Sequence, residues 1–345
     1  MIGSLGCPYT CDFCIDADIP YQPLDFDLLK SDLRFLLTKH KRPIVGWHDR
    51  NFGVRFNDYM DAIEDAVPPN SIDFIGESSL SLLSELHVKR MKAVGFKAIL
   101  PGIESWFSLG DKSRTGSRQG MEKVRQISDQ VNMIMEHIPY MQTNFVLGLD
   151  CDEGAEPFEL TKRFVDLAPG VFPGYSLLTS FGQAAPTNLE YQREGRVLPH
   201  PFHLLNNHHA MNVVPKHYTW TEFYDRVIDL TTYTYSGRVI VNRFRANRGI
   251  VPSGMNVVRA ISNEGVGRLN FYKDVRARLD ADPQLQRYLH GDTTDVPQFY
   301  LDKLRRSLGP FFEYLPEGAV YHDPNAYLKS SRAADEQVLT PSLSR

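Results

Sequence analysis

Residues 72–100 read IDFIGESSLSLLSELHVKRMKAVGFKAIL. Ile72–Gly76 is a short apolar run rich in β-formers. Residues 82–94 then place Leu82, Leu83, Leu86, Val88, Met91 and Val94 mostly on one face of a helix. Gly95 follows as the expected cap, because a helix commonly ends on a residue with left-handed backbone. Phe96–Leu100 is a second β-rich run. Strand, helix and strand in this order form the unit of a parallel sheet, whose neighbouring strands need a crossover between them.

The same alternation extends outward through residues 1–195. Further β-rich runs are Ile2–Leu5, Pro43–Trp47, Gln142–Gly148 and Tyr175–Thr179. Residues 25–38 set Leu28, Leu29, Leu33, Leu36 and Leu37 on one side of a helix, and residues 121–135 space Val124, Ile127, Val131 and Ile134 by threes and fours. Six alternations predict an α/β fold with right-handed crossovers, either a β/α barrel or a doubly wound sheet. In both, chemistry gathers at the C-terminal ends of the strands.

Residues 196–330 read as mostly helical. Thr219-Trp220-Thr221-Glu222 has the pattern of a capping box opening a helix. Further helices are expected from about Phe271 to Leu279 and from about Pro297 to Leu308. Residues 331–345 are polar and aperiodic and read as a disordered tail.

The composition is that of a globular protein, with 42% hydrophobic and 23% charged residues. No apolar run reaches the roughly 18 residues of a membrane helix, and the N-terminus lacks the layout of a signal peptide; a cytoplasmic location is the default expectation. Residues 1–195 carry 19 Lys and Arg against 27 Asp and Glu, whereas residues 196–345 carry 19 against 15. Arg238, Arg243, Arg245 and Arg248 form the one dense basic patch. It is a candidate anion site or simply a solvated surface, and too small to argue for nucleic acid.

Of four cysteines, three lie in Gly6-Cys7-Pro8-Tyr9-Thr10-Cys11-Asp12-Phe13-Cys14. Three thiolates so spaced in one short loop can face one side of an iron–sulfur cube and leave its fourth iron open. Structural zinc is the alternative. It wants four ligands, usually as two pairs, and no partner pair exists, although His48 or a distant histidine could complete a site. Cys151, just past the fifth strand, is a lone thiol on the expected active face. His200, His203, His208, His209 and His217 repeat no metal spacing and read as a loop or surface tract.

The cysteine string resembles the signature of the radical S-adenosylmethionine (SAM) superfamily, and Gly-Cys-Pro-x-x-Cys-x-Phe-Cys resembles its cobalamin-associated branch. Trp47-His48-Asp49-Arg50-Asn51-Phe52 is similar to that branch's second-strand motif, with Arg50 in place of a second Asp. Gly102-Ile103-Glu104-Ser105 matches its fourth-strand motif, and Asn144–Asp150 resembles its fifth-strand motif. Ala185-Pro186-Thr187 and Gly195-Arg196-Val197 fit a later segment, and the likeness runs to about residue 236.

The resemblance implies a partial (β/α)6 barrel over residues 1–195. It implies a 4Fe-4S cluster on Cys7, Cys11 and Cys14, with SAM on the open iron. It further implies that Phe13 touches the adenine and that the strand end Trp47–Asp49 holds the SAM amino group. Glu104 and Ser105 would face its ribose or carboxylate, and Asn144 and Gly148 its adenine side. A small-molecule substrate and an electron donor such as flavodoxin or ferredoxin are implied. Met1 lies six residues before Cys7, so cobalamin is expected only through a missing domain or a separate protein. Modification of RNA or protein, and a non-catalytic iron–sulfur or zinc protein, are the competing readings.

Overall fold

The computed structural model describes residues 1–9, 11–17, 19–107, 119–180, 185–201, 204, 210–316, 319–321 and 323. The expected tail at 331–345, and His203, His208 and His209, lie outside the described residues. The chain begins with a small antiparallel pair, β1 (Ser4–Leu5) and β2 (Gln22–Pro23). A parallel sheet follows: β3 (Ile44–Trp47), β4 (Asp73–Gly76), β5 (Phe96–Ile99), β6 (Gly102–Glu104), β7 (Tyr140–Leu147) and β8 (Phe172–Leu177). β5 and β6 pair successive parts of β7, so they share one strand position broken at Leu100–Pro101. Spatial order therefore follows chain order, β3, β4, β5/β6, β7, β8. A doubly wound sheet reverses its order at a switch point, and a barrel does not. Among the described residues no reversal occurs, so the winding is that of an incomplete barrel. The Met1 backbone adds two hydrogen bonds along the free edge of β3, to Gly46 O at 2.8 Å and from His48 N at 2.9 Å.

The crossover helices are α1 (Phe26–Lys39), α2 (Phe56–Ala66), α3 (Glu85–Val94), α4 (Gly120–Met135) and α5 (Glu156–Leu167). Asp25 caps α1 by accepting from Asp27 N and Leu28 N, and Leu29 and Leu33 are its buried face. α3 starts three residues later than the apolar pattern implied, because Ser84 accepts from His87 N and sets the cap there. Leu82 belongs to the turn before it. Gly95 ends α3 at φ 121°, and a Cβ there would collide with Ile72 O. β8 also differs from expectation, starting three residues earlier at Phe172. Pro173 and Gly174 look like strand breakers in sequence. At the edge of a sheet, though, the missing proline N–H removes no ladder bond when it faces away from the partner strand.

Alternation along the strands separates two faces. Val45, Trp47, Phe74, Ile103, Met141, Phe145, Leu147, Tyr175 and Leu177 are buried in the core shared with the helices. The opposite positions, Gly46, Gly102, Glu104, Gln142, Asn144, Gly174 and Ser176, are only half-buried and are small or polar. An ordinary barrel fills its interior with bulky branched residues; this one leaves room.

α6 (Pro186–Arg193) precedes the helical remainder: α7 (Trp220–Thr234), α8 (Gly237–Ala246), α9 (Ile250–Ile261), α10 (Arg268–Ala281), α11 (Pro283–Leu289) and α12 (Gln298–Leu308). The Thr219–Glu222 capping box is present, with both reciprocal bonds. Trp220 Nε1 donates to Leu289 O at 2.7 Å, tying α7 to α11. The core runs without a break from the sheet into these helices. His200 is fully buried there between the Tyr288 and Tyr300 rings, not at the surface as its polar neighbourhood implied. Burial holds its imidazole neutral, with the pKa pushed down to about 3. The outer edge of β8 is covered by side chains: Arg268 donates to Tyr175 O at 2.9 Å.

Candidate active site

The cysteine loop lies over the C-terminal ends of the strands and is staked on several sides. Gly6 turns the chain at φ 65°, where a Cβ would meet the carbonyls of Ile19 and Pro20. Cys7 N donates to Ile19 O at 3.4 Å, and Cys14 N to Cys11 O at 2.8 Å. Two adjacent residues past the end of β3 hold both flanks. The buried Asp49 carboxylate accepts from Gly3 N (2.6 Å), Ser4 N (3.1 Å) and Ser4 Oγ (2.9 Å), just ahead of the cysteines. Arg50 Nε pairs with Asp16 at 2.5 Å, just behind them. At the N-terminus of α6, Thr187 N and Oγ1 both donate to Asp12 O at 3.1 Å.

Cys7, Cys11 and Cys14 form no disulfide; the first two are buried and the third is half-buried. Beside them a cavity of about 170 Å³ is lined by Phe13, Cys14, Arg50, Glu77, Ser78, Ser79, Leu100, Gly102, Glu104 and Asn144. A second cavity of about 160 Å³ shares Phe13 as a wall and is otherwise mostly apolar, with Ile15, Val146, Leu177 and Leu178. Asn51 organises the floor of the first: Asn51 Oδ1 accepts from Ser79 N at 3.0 Å, and Asn51 Nδ2 donates to Ser79 Oγ at 2.6 Å. Gln142 Nε2 donates to Asn144 Oδ1 at 2.5 Å, orienting that amide. Gly174 faces the pair, and a Cβ there would lie 2.8 Å from Asn144 Oδ1. Glu104 has left-handed backbone, φ 66°. A non-glycine residue in that region is strained, and such residues cluster at functional sites.

Of the expected site residues, the structure gathers Phe13, Cys14, Glu104 and Asn144 at one cavity. Four others stand elsewhere. Trp47 is in the core, ring to ring with Tyr59 and Phe74. Asp49 is spent on the N-terminal backbone. Ser105 donates to Asp152 Oδ1 at 2.6 Å in a separate buried polar group. Gly148, at φ 92°, lies against Phe223 and Met211 of the C-terminal part. Arg50, Glu77, Ser78, Ser79 and Leu100 were not singled out as cavity walls. The available signal was their position, since each follows directly on β3, β4 or β5, where open α/β sheets take ligands.

The separate group joins Ser105, Lys123, Cys151 and Asp152. Lys123 Nζ donates to Ser105 O at 2.6 Å. Cys151 Sγ lies 3.6 Å from Ser105 Oγ. Burial raises the Asp152 carboxyl to about 6. Burial first, then the Asp152 charge, pushes the Cys151 thiol up to about 11.

Among the described residues, no group of three or more His, Cys, Asp or Glu is gathered tightly enough to hold a single metal ion. Zinc needs all its ligands within bonding distance of one centre. A cubane takes its thiolates on three different irons and holds them wider apart. Three cysteines on one loop at a cavity rim, with Cys14 half-buried, are the donor set such a group takes.

No family model matches the chain. No curated protein matches it either. Solved structures do resemble it. The radical SAM methyltransferase TsrM from Kitasatospora setae, with cobalamin and a 4Fe-4S cluster bound, superposes with a TM-score of 0.47 at 14% identity, over 58% of this chain and 37% of that one. The cobalamin-dependent SAM radical enzyme OxsB gives 0.44 at 14%, over 98% of this chain and 58% of that one. The FeFe-hydrogenase maturase HydG gives 0.36 at 9%, over 82% and 81%. The chain spans less than two thirds of the TsrM and OxsB chains.

Proposed function

We propose that this chain is a cytoplasmic radical SAM enzyme that functionalises a C–H bond of a small molecule, with methylation among the possible outcomes. Cys7, Cys11 and Cys14 would hold a 4Fe-4S cluster and leave one iron for SAM. When bound, the pair supplies a 5′-deoxyadenosyl radical able to take hydrogen from an unactivated carbon. One observation carries the reading: three cysteines outside any disulfide share a staked loop whose Phe13 and Cys14 line a cavity with Glu104 and Asn144.

The chain's own residues divide the remaining work. Asp49, Arg50 and Thr187 hold the loop in place. Glu104 and the amide of Asn144 offer acceptors and donors to a polar cofactor in the first cavity. The second, more apolar cavity suits the substrate. Each cavity is about half the roughly 300 Å³ at which ligand pockets begin, and Phe13 is the wall they share. An electron donor such as flavodoxin or ferredoxin would serve the cluster, and cobalamin would come from outside residues 1–345.

Anaerobic reconstitution should yield about four irons and four sulfides per chain, with an electron paramagnetic resonance signal that changes on adding SAM. Cys11→Ala should lose the iron and the reductive cleavage of SAM together. Cleavage that survives Cys11→Ala, or zinc without iron, would sink the proposal.

A further inference from the structure

The α8–α9 hairpin is a surface that the active-site reading does not use. It is rooted at the N-terminal ends of β7 and β8, away from the cavities. The buried Arg243 donates to Val171 O at 3.1 Å, and Asn247 to Gly170 O at 2.8 Å. Arg259 stacks 4.0 Å over the Phe172 ring and donates to Tyr140 Oη at 2.6 Å. These anchors hold the inner side of both helices.

The outer side is apolar and open. Ile250 is 90% exposed, Val251 74%, Ile261 63% and Val258 59%, with Phe244 and Met255 beside them at about half. The α9 positions recur at helical spacing and make one stripe. Of the five arginines in residues 237–263, Arg243 is buried, Arg238 faces Asp166 and Arg259 pairs with Glu264. Arg245 and Arg248 stand exposed next to the stripe. Such an apolar face would ordinarily be covered.

From this juxtaposition we infer that the α8–α9 hairpin is a docking surface for an anionic lipid bilayer. A second copy of the chain is the poorer occupant, because a two-fold contact would bring the two arginine sets together across the interface. A protein groove is also a poorer match, since tight protein contacts centre on aromatic and arginine anchors in pockets. Here aliphatic side chains stand proud, rimmed by arginine, as in helices that lie in a membrane interface. Among the described residues no helix is long and apolar enough to cross a membrane. The proposed contact lies on the hairpin's outer face and leaves the cavity mouth clear. The surface stands whether or not the cysteine loop carries a cluster.

The test is flotation of the full chain with phosphatidylcholine vesicles, with and without about one third phosphatidylserine. Binding is expected only to the anionic vesicles and should fall as salt is raised. Arg245→Ala with Arg248→Ala should weaken it roughly 30-fold, at the usual contribution per arginine. Ile250→Asp with Val258→Asp should abolish it while circular dichroism and melting stay unchanged, since both side chains are exposed. Failure to bind either vesicle would overturn the inference, as would equal binding to both. So would a dimer in light scattering that Ile250→Asp dissociates without any effect on vesicles.

Discussion

The four cysteines fall into two environments that share little beyond their place at the strand ends. Cys7, Cys11 and Cys14 ride on a loop beside a cavity, held from outside by Asp49, Arg50 and Thr187. Cys151 is folded into a polar group with Ser105, Lys123 and Asp152, where burial and a neighbouring carboxylate keep its proton on. The thiolate is the ligand and the nucleophile. Cys151 is half-buried like Cys14, whereas Cys7 and Cys11 are buried, so what sets it apart is the polar group it shares with Ser105, Lys123 and Asp152. Position on the active face does not by itself make a cysteine reactive.

The largest contrast should appear in thiol chemistry. With its pKa at about 11, Cys151 should alkylate roughly 100-fold more slowly at pH 8 than an unperturbed thiol, because so little of it is thiolate. Peptide mapping after timed iodoacetamide treatment of the iron-free protein would read this. Cys151→Ala should leave bound iron unchanged, and a drop in iron would erase the distinction between the two environments.

Next comes the support of the loop. Asp49→Ala strands two buried N–H groups and the Ser4 hydroxyl, at a cost of about 3–5 kcal/mol. Chemical denaturation measures that loss, and iron retention should fall with it. Asp49→Asn, which keeps an acceptor oxygen, should recover part of both.

A pH experiment sharpens the other side. The Asp152 carboxyl titrates at about 6 in the folded chain, above its ordinary value of 3.8, because burial disfavours its charge. The folded state therefore binds the proton more tightly than the unfolded one. This contribution is fully present below about pH 4 and is lost as the pH rises to about 6, worth up to about 3 kcal/mol. Measured as wild type minus Asp152→Asn, stability should decline across that window. Parallel curves for the two proteins would show that the carboxyl is not held as described.

The smallest effect is expected for Arg50→Ala. The Arg50 side chain is half exposed, so the ion pair with Asp16 should contribute no more than about 1 kcal/mol to folding. The cluster should bind more weakly while the melting temperature hardly moves.

Sequence order revealed what local rules govern. The βαβ alternation, the Gly95 cap and the Thr219–Glu222 box all came through, because each depends on neighbours a few residues away. The barrel winding, one of two options in sequence, needed strand pairing across tens of residues. Trp47, Asp49 and Ser105 lie in motifs that mark strand ends, but which way each side chain turns is decided by tertiary partners: Tyr59 and Phe74 for the tryptophan, Gly3 and Ser4 for the aspartate, Asp152 for the serine. His200 misled for a related reason. A polar, histidine-rich stretch says surface, yet a neutral imidazole between two tyrosines serves as an aromatic filler.

The last strand of the sheet carries a lesson of another kind. β8 pairs on one side with β7, so its far backbone would offer a template to any extended chain that came near. Arg268 occupies Tyr175 O and bars that approach. Helix α10 therefore also acts as a guard against aggregation. Cutting the chain before α10, or replacing Arg268 with a short side chain, should leave that edge open to strands from neighbouring molecules.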